Sequence, residues 1–262
     1  MRRIVVHIIV LATIGLPSAA QAQESPPWDP IHLGLGDSIA FGEGASNPER
    51  LGYVPVLSRW SRAEDCDEGV AEACPGLKLV NLAVRGATTS TLISNQLPAA
   101  LQLIGERNGD TNPYNDVVLI TVTVGGNDLF APVVGACAGG QTPECVATIQ
   151  SVFTVAGQNL AVILGSLRLQ AGEETKIVVM TYDNPLGSCH LSAIEPLGDL
   201  VLEGTPSFPG FNDIIRSVAN ATDVSVADTF GKLSPDDWVG GEDCRHPDTS
   251  GHHKIAEVFR AA

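Results

Sequence analysis

The chain has 262 residues, with 15 lysines and arginines against 30 aspartates and glutamates, for a formal net charge of −15. Nucleic acids and anionic membranes are also negatively charged, so a protein surface with this net charge would repel them rather than bind them. A chain of this length fits one α/β domain with a single core, and no internal repeat or linker divides it.

The first 22 residues have the pattern of a secretory signal peptide. Two arginines precede an apolar stretch from Ile4 to Leu16, and residues 20–22 form a small-x-small cleavage site. The apolar stretch is too short to span a bilayer, which takes about 20 residues, and no cysteine follows the cleavage site as in a lipoprotein. We therefore expect residues 23–262 to be a single mature domain, secreted or periplasmic, monomeric and without stable membrane insertion.

Five apolar runs of strand length recur along the mature chain. They are nearly continuous rather than alternating, which is typical of parallel strands buried on both faces. The runs are Ile31 to Leu35, Leu77 to Leu82, Val117 to Val124, Lys176 to Thr181 and Val224 to Ala227. Segments of helical spacing or composition alternate with them: Tyr53 to Arg62, Ser90 to Ile104, Val146 to Gln170, Phe211 to Asn220 and Gly251 to Ala262. This alternation predicts an α/β fold, a three-layer α/β/α sandwich with about five parallel strands.

Small and polar residues follow four of the predicted strands, at the edge where the ligand crevice of such a sheet lies. The first strand is followed by GDS at 36–38, and the second by a loop that contains Gly86. The third is followed by GGND at 125–128, and the fifth by a longer segment that reaches DCRHP at 243–247. A serine, a glycine, an asparagine and a histidine are thus expected at one edge.

This set resembles the conserved blocks of the SGNH hydrolases, also called GDSL esterases and lipases. The blocks occur in the family's order across essentially the whole mature chain: GDS with Ser38, NLAVRGATT with Gly86, GGND with Asn127 and DCRHP with His246. The departures are small, since Ile39 stands where the family has leucine and a cysteine lies inside the last block. The resemblance implies the flavodoxin-like SGNH hydrolase fold and the hydrolysis of carboxylic esters without a cofactor.

The residues themselves fit that chemistry, because ester hydrolysis through an acyl-enzyme needs a nucleophile and a base. Ser38 is the candidate nucleophile, and its hydroxyl needs a base to take its proton. Of the six histidines, only His246 combines an acid three residues earlier with a proline directly after it. The alternative for His246 is a capping or surface histidine. Asp243 would orient the ring and stabilise the imidazolium; alternatively a backbone carbonyl orients the ring, and Asp243 is a solvated loop acid.

The resemblance also implies three donors for the oxyanion, namely the backbone N–H groups of Ser38 and Gly86 and the side-chain amide of Asn127. A glycine suits such a position because a presented N–H needs close backbone approach and often an unusual φ. We expect Asp37 and Asp128 to accept hydrogen bonds from loop N–H groups rather than to act as acids or bases.

Six cysteines in an exported chain predict disulfides, although six thiols allow 15 pairings. Their spacing favours two short bridges and leaves a third that closes a long loop. The expected pairs are Cys66–Cys74, Cys137–Cys145 and Cys189–Cys244. Zinc binding is the alternative use of these cysteines, but the chain has no CxxC pair, so no metal is expected.

The predicted function is that of a secreted serine esterase or lipase acting on a small-molecule or lipid ester. An acetyl-carbohydrate esterase and a lysophospholipase of the same fold remain open, because fold and motif do not choose the acyl group. The sequence has no long apolar insertion resembling a lid, which favours short-to-medium acyl esters. A catalytically silent binding module and a metal-dependent hydrolase are the alternatives from other classes.

Overall fold

The computed structural model describes residues 29–61 and 77–262. The predicted signal peptide and the Cys66–Cys74 pair lie outside the described residues. The strands of the described residues are β1 (Ile31–Gly36), β2 (Lys78–Asn81), β3 (Val117–Thr123), β4 (Lys176–Met180), β5 (Gly204–Thr205), β6 (Phe208–Pro209), β7 (Ser225–Ala227), β8 (Trp238–Gly240) and β9 (Asp243–Pro247). Their α-helices are α1 (Ser38–Phe41), α2 (Pro48–Leu51), α3 (Tyr53–Trp60), α4 (Thr89–Asn95), α5 (Leu97–Arg107), α6 (Gly126–Cys137), α7 (Pro143–Ala171), α8 (Glu195–Glu203), α9 (Phe211–Ala221) and α10 (Thr249–Ala261).

Five strands form one parallel sheet in the order β2-β1-β3-β4-β7, with helices packed against it. This doubly wound order confirms the predicted fold, and the direction of winding reverses between β1 and β3. Both of these central strands are buried, as their continuous apolar sequences predict. The edge strand β2 is partly exposed, and among the described strands β1 is its one partner. The crevice at the carboxyl ends of β1 and β3 is therefore the expected ligand site.

One polar side chain in β1 lies in the core. His32 is fully buried, and its ring nitrogens lie 3.1 Å from Ser58 Oγ and 3.0 Å from Thr121 Oγ1. Burial lowers the pKa of His32 to about 3, because the charged ring would lose its hydration. His32 is therefore a neutral core residue, with both ring nitrogens in hydrogen bonds.

The helices differ from the predicted segments in two respects. The segment predicted at 90–104 is two helices that meet at Gln96, because Pro98 has no N–H and suits the first turn of a new helix. The four-residue helices α1 and α2 were not expected from the sequence, and neither were the longer helices α6 and α8. Each of these two longer helices contains poor helix formers that obscure its pattern, Pro132 in α6 and Gly198 in α8.

The longest helix, α7, has 29 residues and packs against α4, α5, α6 and α9. By length and composition alone it is long and apolar enough to cross a membrane. Its buried side chains, Phe153, Leu160 and Leu164 among them, belong to the same core as the sheet. The helix thus has the packing of a core helix of this domain, whose apolar residues are used internally.

A small antiparallel pair, β8 with β9, lies outside the main sheet. The Cys189–Cys244 disulfide joins β9 to the segment that follows β4. A second disulfide, Cys137–Cys145, joins the end of α6 to the start of α7. Both are pairings that the spacing of the cysteines predicted. The Cys189–Cys244 bridge is the one that matters for the site, because β9 carries Asp243 and His246.

Candidate active site

The turn that carries Ser38 is fixed by main-chain contacts at the end of β1. Asp37 donates its N–H to the carbonyl of Thr123 at 2.9 Å, and its side chain accepts from the Ile39 N–H at 2.9 Å. Gly36 has φ 140°, and a Cβ there would collide with the Thr123 carbonyl oxygen. Only glycine allows β1 and β3 to approach this closely. Ser38 consequently starts the short helix α1 directly at the switch point of the sheet.

Gln96, which lies between α4 and α5, stabilises the same turn through its side chain. Its side chain accepts from the N–H of Gly36 at 2.9 Å and donates to the Gly36 carbonyl at 2.8 Å. The amide is buried, and it satisfies both backbone groups of a residue that ends a buried strand. No sequence signal pointed to Gln96, since it lies 60 residues from its partner.

Ser38, His246 and Asp243 form one hydrogen-bonded chain. His246 Nε2 lies 2.9 Å from Ser38 Oγ, and His246 Nδ1 lies 2.8 Å from Asp243 Oδ2. An ionised Asp243 can only accept, so Nδ1 carries the ring proton and Nε2 is free to accept the serine proton. The structure thus brings together the three residues that the sequence singled out as nucleophile, base and orienting acid.

Asp243 is held in its charged form. Its partial burial alone would raise the pKa, but hydrogen bonds outweigh burial and place the pKa of Asp243 below its ordinary value. The donors are the His246 ring and the N–H groups of Arg245 and His246, at 2.9 and 3.0 Å from Oδ1. A carboxylate in this position can orient the ring and stabilise an imidazolium without itself taking a proton.

A second buried histidine, His252, lies on the first turns of α10 but has a different role. Its Nδ1 accepts from the N–H of Tyr53 at 3.3 Å, and its Nε2 donates to the carbonyl of Glu43 at 2.8 Å. Burial lowers the pKa of His252 to about 4, so the ring is neutral. Its bonds join α10 to the α1 and α3 regions of the chain, which is a structural function.

The three expected oxyanion donors come from three separate segments, namely the start of α1, the loop between β2 and α4, and the first turn of α6. In the part of the chain that the structure describes, the N–H groups of Ser38 and Gly86 donate to no protein acceptor. Gly86 has φ 75°, and a Cβ there would meet nothing within 4 Å, so the backbone conformation rather than space calls for glycine. Asn127 donates through Nδ2 to the carbonyl of Ala87 at 3.0 Å. This bond uses one of the two amide hydrogens and leaves the other available.

Asp128 serves the loop geometry, as the sequence predicted. It accepts from the N–H of Thr89 at 2.9 Å and from the Thr89 hydroxyl at 2.6 Å. Asn159 of α7 donates to that same hydroxyl at 3.0 Å. The contacts tie α4 to the start of α6, the helix that carries Asn127.

Asp37 is almost completely buried and is paired with a residue that the sequence gave no reason to select. Tyr182, two residues after the end of β4, donates its hydroxyl to Asp37 Oδ2 at 3.0 Å. Burial raises the pKa of Asp37 to about 7, although hydrogen bonds from Ile39 and Tyr182 act against it. The acid next to the candidate nucleophile is thus a buried structural group that is satisfied by hydrogen bonds.

An apolar cavity opens beside Ser38 and Asn127. Its volume is about 140 Å³, close to a cavity known to hold one benzene ring. Its apolar walls come mainly from α6, from the segment after β4 and from α8: Leu129, Val133, Val134, Leu186, Leu197 and Val201. A hydrocarbon chain bound there would leave water at a gain of about 0.8 kcal/mol per buried CH₂.

One group of potential metal ligands occurs among the described residues, namely Cys189, His190 and Cys244. The two sulfurs are bonded to each other, so neither is available as a thiolate ligand. The group is a disulfide with a histidine beside it, and His190 Nδ1 lies 3.1 Å from the carbonyl of Gly241.

Comparison with known proteins gives consistent results. The model of the GDSL-like Lipase/Acylhydrolase family matches residues 35–254. A lipase from goat rumen metagenome, Lip_vut3, superposes with a TM-score of 0.62 at 20% identity, over 88% of this chain and 96% of that chain. An extracellular lipase from Streptomyces rimosus gives a TM-score of 0.57 at 19% identity, over 89% and 99% of the two chains. The acetylxylan esterase Axe2 from Geobacillus stearothermophilus gives 0.57 at 16% identity, over 90% and 95%.

No curated protein matches the sequence. The solved structures are distant enough in sequence to show the fold alone, and their fold is the one described above. The family model covers most of the chain, from the end of β1 to α10, and includes all four blocks that carry the candidate site. The chain therefore belongs to the GDSL-like lipase and acylhydrolase family.

Proposed function

We propose that this chain is an exported serine esterase or lipase that hydrolyses carboxylic esters through an acyl-enzyme on Ser38. The observation that carries the proposal is the continuous hydrogen-bonded chain from Asp243 through His246 to Ser38 Oγ. It lies at the switch point of the sheet, beside a cavity that can take the acyl part of an ester.

The reaction follows from these positions. As Ser38 Oγ attacks the ester carbonyl, its proton moves to His246 Nε2, and Asp243 stabilises the imidazolium that results. The negative charge on the former carbonyl oxygen is met by the N–H groups of Ser38 and Gly86 and the amide of Asn127. His246 then gives its proton to the leaving alcohol, and a water molecule repeats the sequence to release the acid and restore Ser38.

The size of the cavity favours an ester substrate with an acyl chain longer than acetyl. An acetyl group places one methyl in a space of about 140 Å³, which leaves most of the apolar wall without a partner. A longer chain fills that space and gains binding free energy with each methylene. We infer a preference for medium-length acyl groups, with lipases as nearer functional counterparts than acetyl-carbohydrate esterases.

Export is supported by the cysteine chemistry. Both disulfides among the described residues join parts of the chain that come together in the fold, and such bonds persist in oxidising compartments. The signal-like residues at 1–22 point to the same location.

A series of p-nitrophenyl esters from acetate to palmitate tests the proposed acyl preference, with acetylated xylan assayed beside it. We expect kcat/KM to rise from acetate to chains of roughly six to eight carbons, as each methylene enters the cavity. Val134→Phe, which narrows the cavity, should shift the optimum to shorter chains. Val155→Phe makes the same change on the exposed face of α7 and should leave the series unaltered. An optimum at acetate, with turnover of acetylated xylan, would instead identify a carbohydrate esterase.

A further inference from the structure

One positive charge lines the cavity that holds Ser38, and the mechanism does not use it. Arg245 lies on β9 between the candidate acid and the candidate base, and its exposed side chain reaches the cavity. Its guanidinium carbon lies 5.3 Å from the centre of the Phe130 ring, another residue of the cavity wall. Stacking on a ring in this way leaves the edge of the guanidinium, with its N–H donors, free.

Arg245 differs from two other arginines, whose guanidinium groups are already paired with carboxylates. Arg85 is paired with Glu43, and Arg216 with three carboxylates. Among the described residues, by contrast, no carboxylate lies within 4 Å of the Arg245 guanidinium, and no protein acceptor receives a hydrogen bond from it. Five N–H donors in a planar fork are therefore free at the mouth of the cavity.

The position of Arg245 is fixed by the backbone around it. Its N–H donates to Asp243 at 2.9 Å, and the adjacent Cys244 is bonded to Cys189. A small apolar cluster of Leu186, the disulfide and Phe130 lies beneath this part of β9. These contacts fix the backbone of Arg245, and the Phe130 ring restrains its guanidinium, which lowers the conformational entropy lost when a ligand binds.

The charge of the whole protein makes this local cation significant. With a net charge of −15, the surface repels anions. Arginine binds phosphate and carboxylate through two parallel N–H···O bonds, so the Arg245 fork offers an anion a specific contact on an otherwise repelling surface.

We propose that Arg245 is an anion-binding subsite for a phosphate or carboxylate carried by the ester substrate. The substrate is then an anionic amphiphile, with its acyl chain in the apolar cavity and its charged group on Arg245. This proposal rests on the esterase function proposed above, and it concerns the choice of substrate rather than the chemical step.

Two matched substrate pairs test the subsite. In the alcohol pair, 1-decanoylglycerol 3-phosphate is compared with 1-decanoylglycerol, which differs only in the phosphate. In the acyl pair, the p-nitrophenyl half-ester of decanedioic acid, with its free carboxylate, is compared with p-nitrophenyl decanoate. The measured quantity is the ratio of kcat/KM for the anionic over the neutral ester of each pair, which cancels any general loss of active protein.

We expect Arg245→Gln to lower this ratio in one of the two pairs by roughly tenfold to a hundredfold, as for the loss of a hydrogen bond between charged groups. The loss should appear mainly in KM and should shrink at high salt. Arg245→Lys, which keeps the charge without the fork, should lose less. The control is Arg85→Gln, which removes a positive charge that Glu43 already neutralises. The kcat/KM ratios of this variant should match those of the wild type.

The outcomes distinguish a failure of the Arg245 subsite from a failure of the esterase function on which it rests. A loss in the alcohol pair places the anion on the leaving group, and a loss in the acyl pair places it on the acid. Ratios unchanged by Arg245→Gln in both pairs, or lowered equally by Arg85→Gln, would overturn the subsite. If the wild type hydrolyses neither the anionic nor the neutral ester of either pair, or Ser38→Ala hydrolyses them equally well, the esterase proposal itself fails.

Discussion

Ser38 follows a central strand of the main sheet, whereas His246 and Asp243 lie on β9, a strand outside that sheet. The backbone before Ser38 is buried and held by Thr123 and Gln96. Among the described strands β9 pairs only with β8, and a disulfide joins it to the segment after β4, while the hydrogen bonds of the Asp243 carboxylate lie within β9 itself. The position of the nucleophile therefore depends on the stability of the core, and that of the base on a few separate contacts.

Two histidines should respond in opposite ways to substitution, because His246 belongs to β9 and His252 joins α10 to the segments around α1 and α3. His246→Gln should lower kcat by roughly 10⁴-fold or more, as for loss of a catalytic base, with little change in thermal stability. His252→Gln should do the reverse, because it breaks two buried bonds and costs about 1–3 kcal/mol of stability. Ester hydrolysis and thermal unfolding of both variants measure this. Equal kcat values in the two variants would contradict the assignment of His246.

The proposed oxyanion site should give the next largest effect. Asn127→Ala removes the one side-chain donor and should lower kcat by about 10²- to 10³-fold with little change in KM. Asn159→Ala is the matched control, because it also removes an amide hydrogen bond, which runs from α7 to Thr89 at the start of α4. If both variants lose activity equally, the effect of Asn127 is structural.

The Cys189–Cys244 disulfide, which joins β9 to the segment after β4, can be removed by substitution without changing the triad residues. The double variant Cys189→Ser, Cys244→Ser should lose activity, by up to about a hundredfold if the base shifts by 1 Å, at temperatures where the sheet is still folded. Cys137→Ser with Cys145→Ser should keep kcat and lose stability only, because that bridge closes a short loop between α6 and α7. In the chain-entropy model the two bridges stabilise by roughly 4 and 2.6 kcal/mol. Full kcat without the Cys189–Cys244 bridge would remove its positioning role.

A smaller effect is expected on the pH dependence of stability. The pKa of Asp37 is raised from 3.8 to about 7, so between these values the folded state binds a proton that the unfolded state has lost. The contribution of Asp37 to the free energy of unfolding is therefore complete below pH 3.8 and is lost as the pH rises to about 7. The loss is about 1.4 kcal/mol for each unit by which the folded and unfolded pKa values differ. Urea unfolding of Asp37→Asn across this range should show a shallower decline than the wild type. An identical slope would mean that Asp37 stays ionised in the folded protein.

The sequence predicted the elements that repeat a simple pattern. The five strands of the sheet were found within a residue or two of their observed bounds, because apolar runs report burial directly. The candidate triad was found because its three residues stand in short, recognisable blocks, although 208 residues separate Ser38 from His246.

The contacts that hold the site in place could not be predicted in the same way. Gln96 and Tyr182 reach Gly36 and Asp37 across 60 and 145 residues. A glutamine or tyrosine at such positions has no local signature, since its partner is set by the packing of whole layers. The free guanidinium of Arg245 is likewise visible only once the neighbouring carboxylates have been located in space.

The most direct test of the proposed mechanism is active-site labelling with a fluorophosphonate, which forms a covalent adduct with an activated serine. The account predicts one adduct per chain on the peptide that contains Ser38, with labelling slowed strongly in His246→Gln and absent in Ser38→Ala. Labelling of the Ser38→Ala variant at the wild-type rate, or no labelling of the folded wild-type protein, would contradict the assignment of Ser38 as the nucleophile.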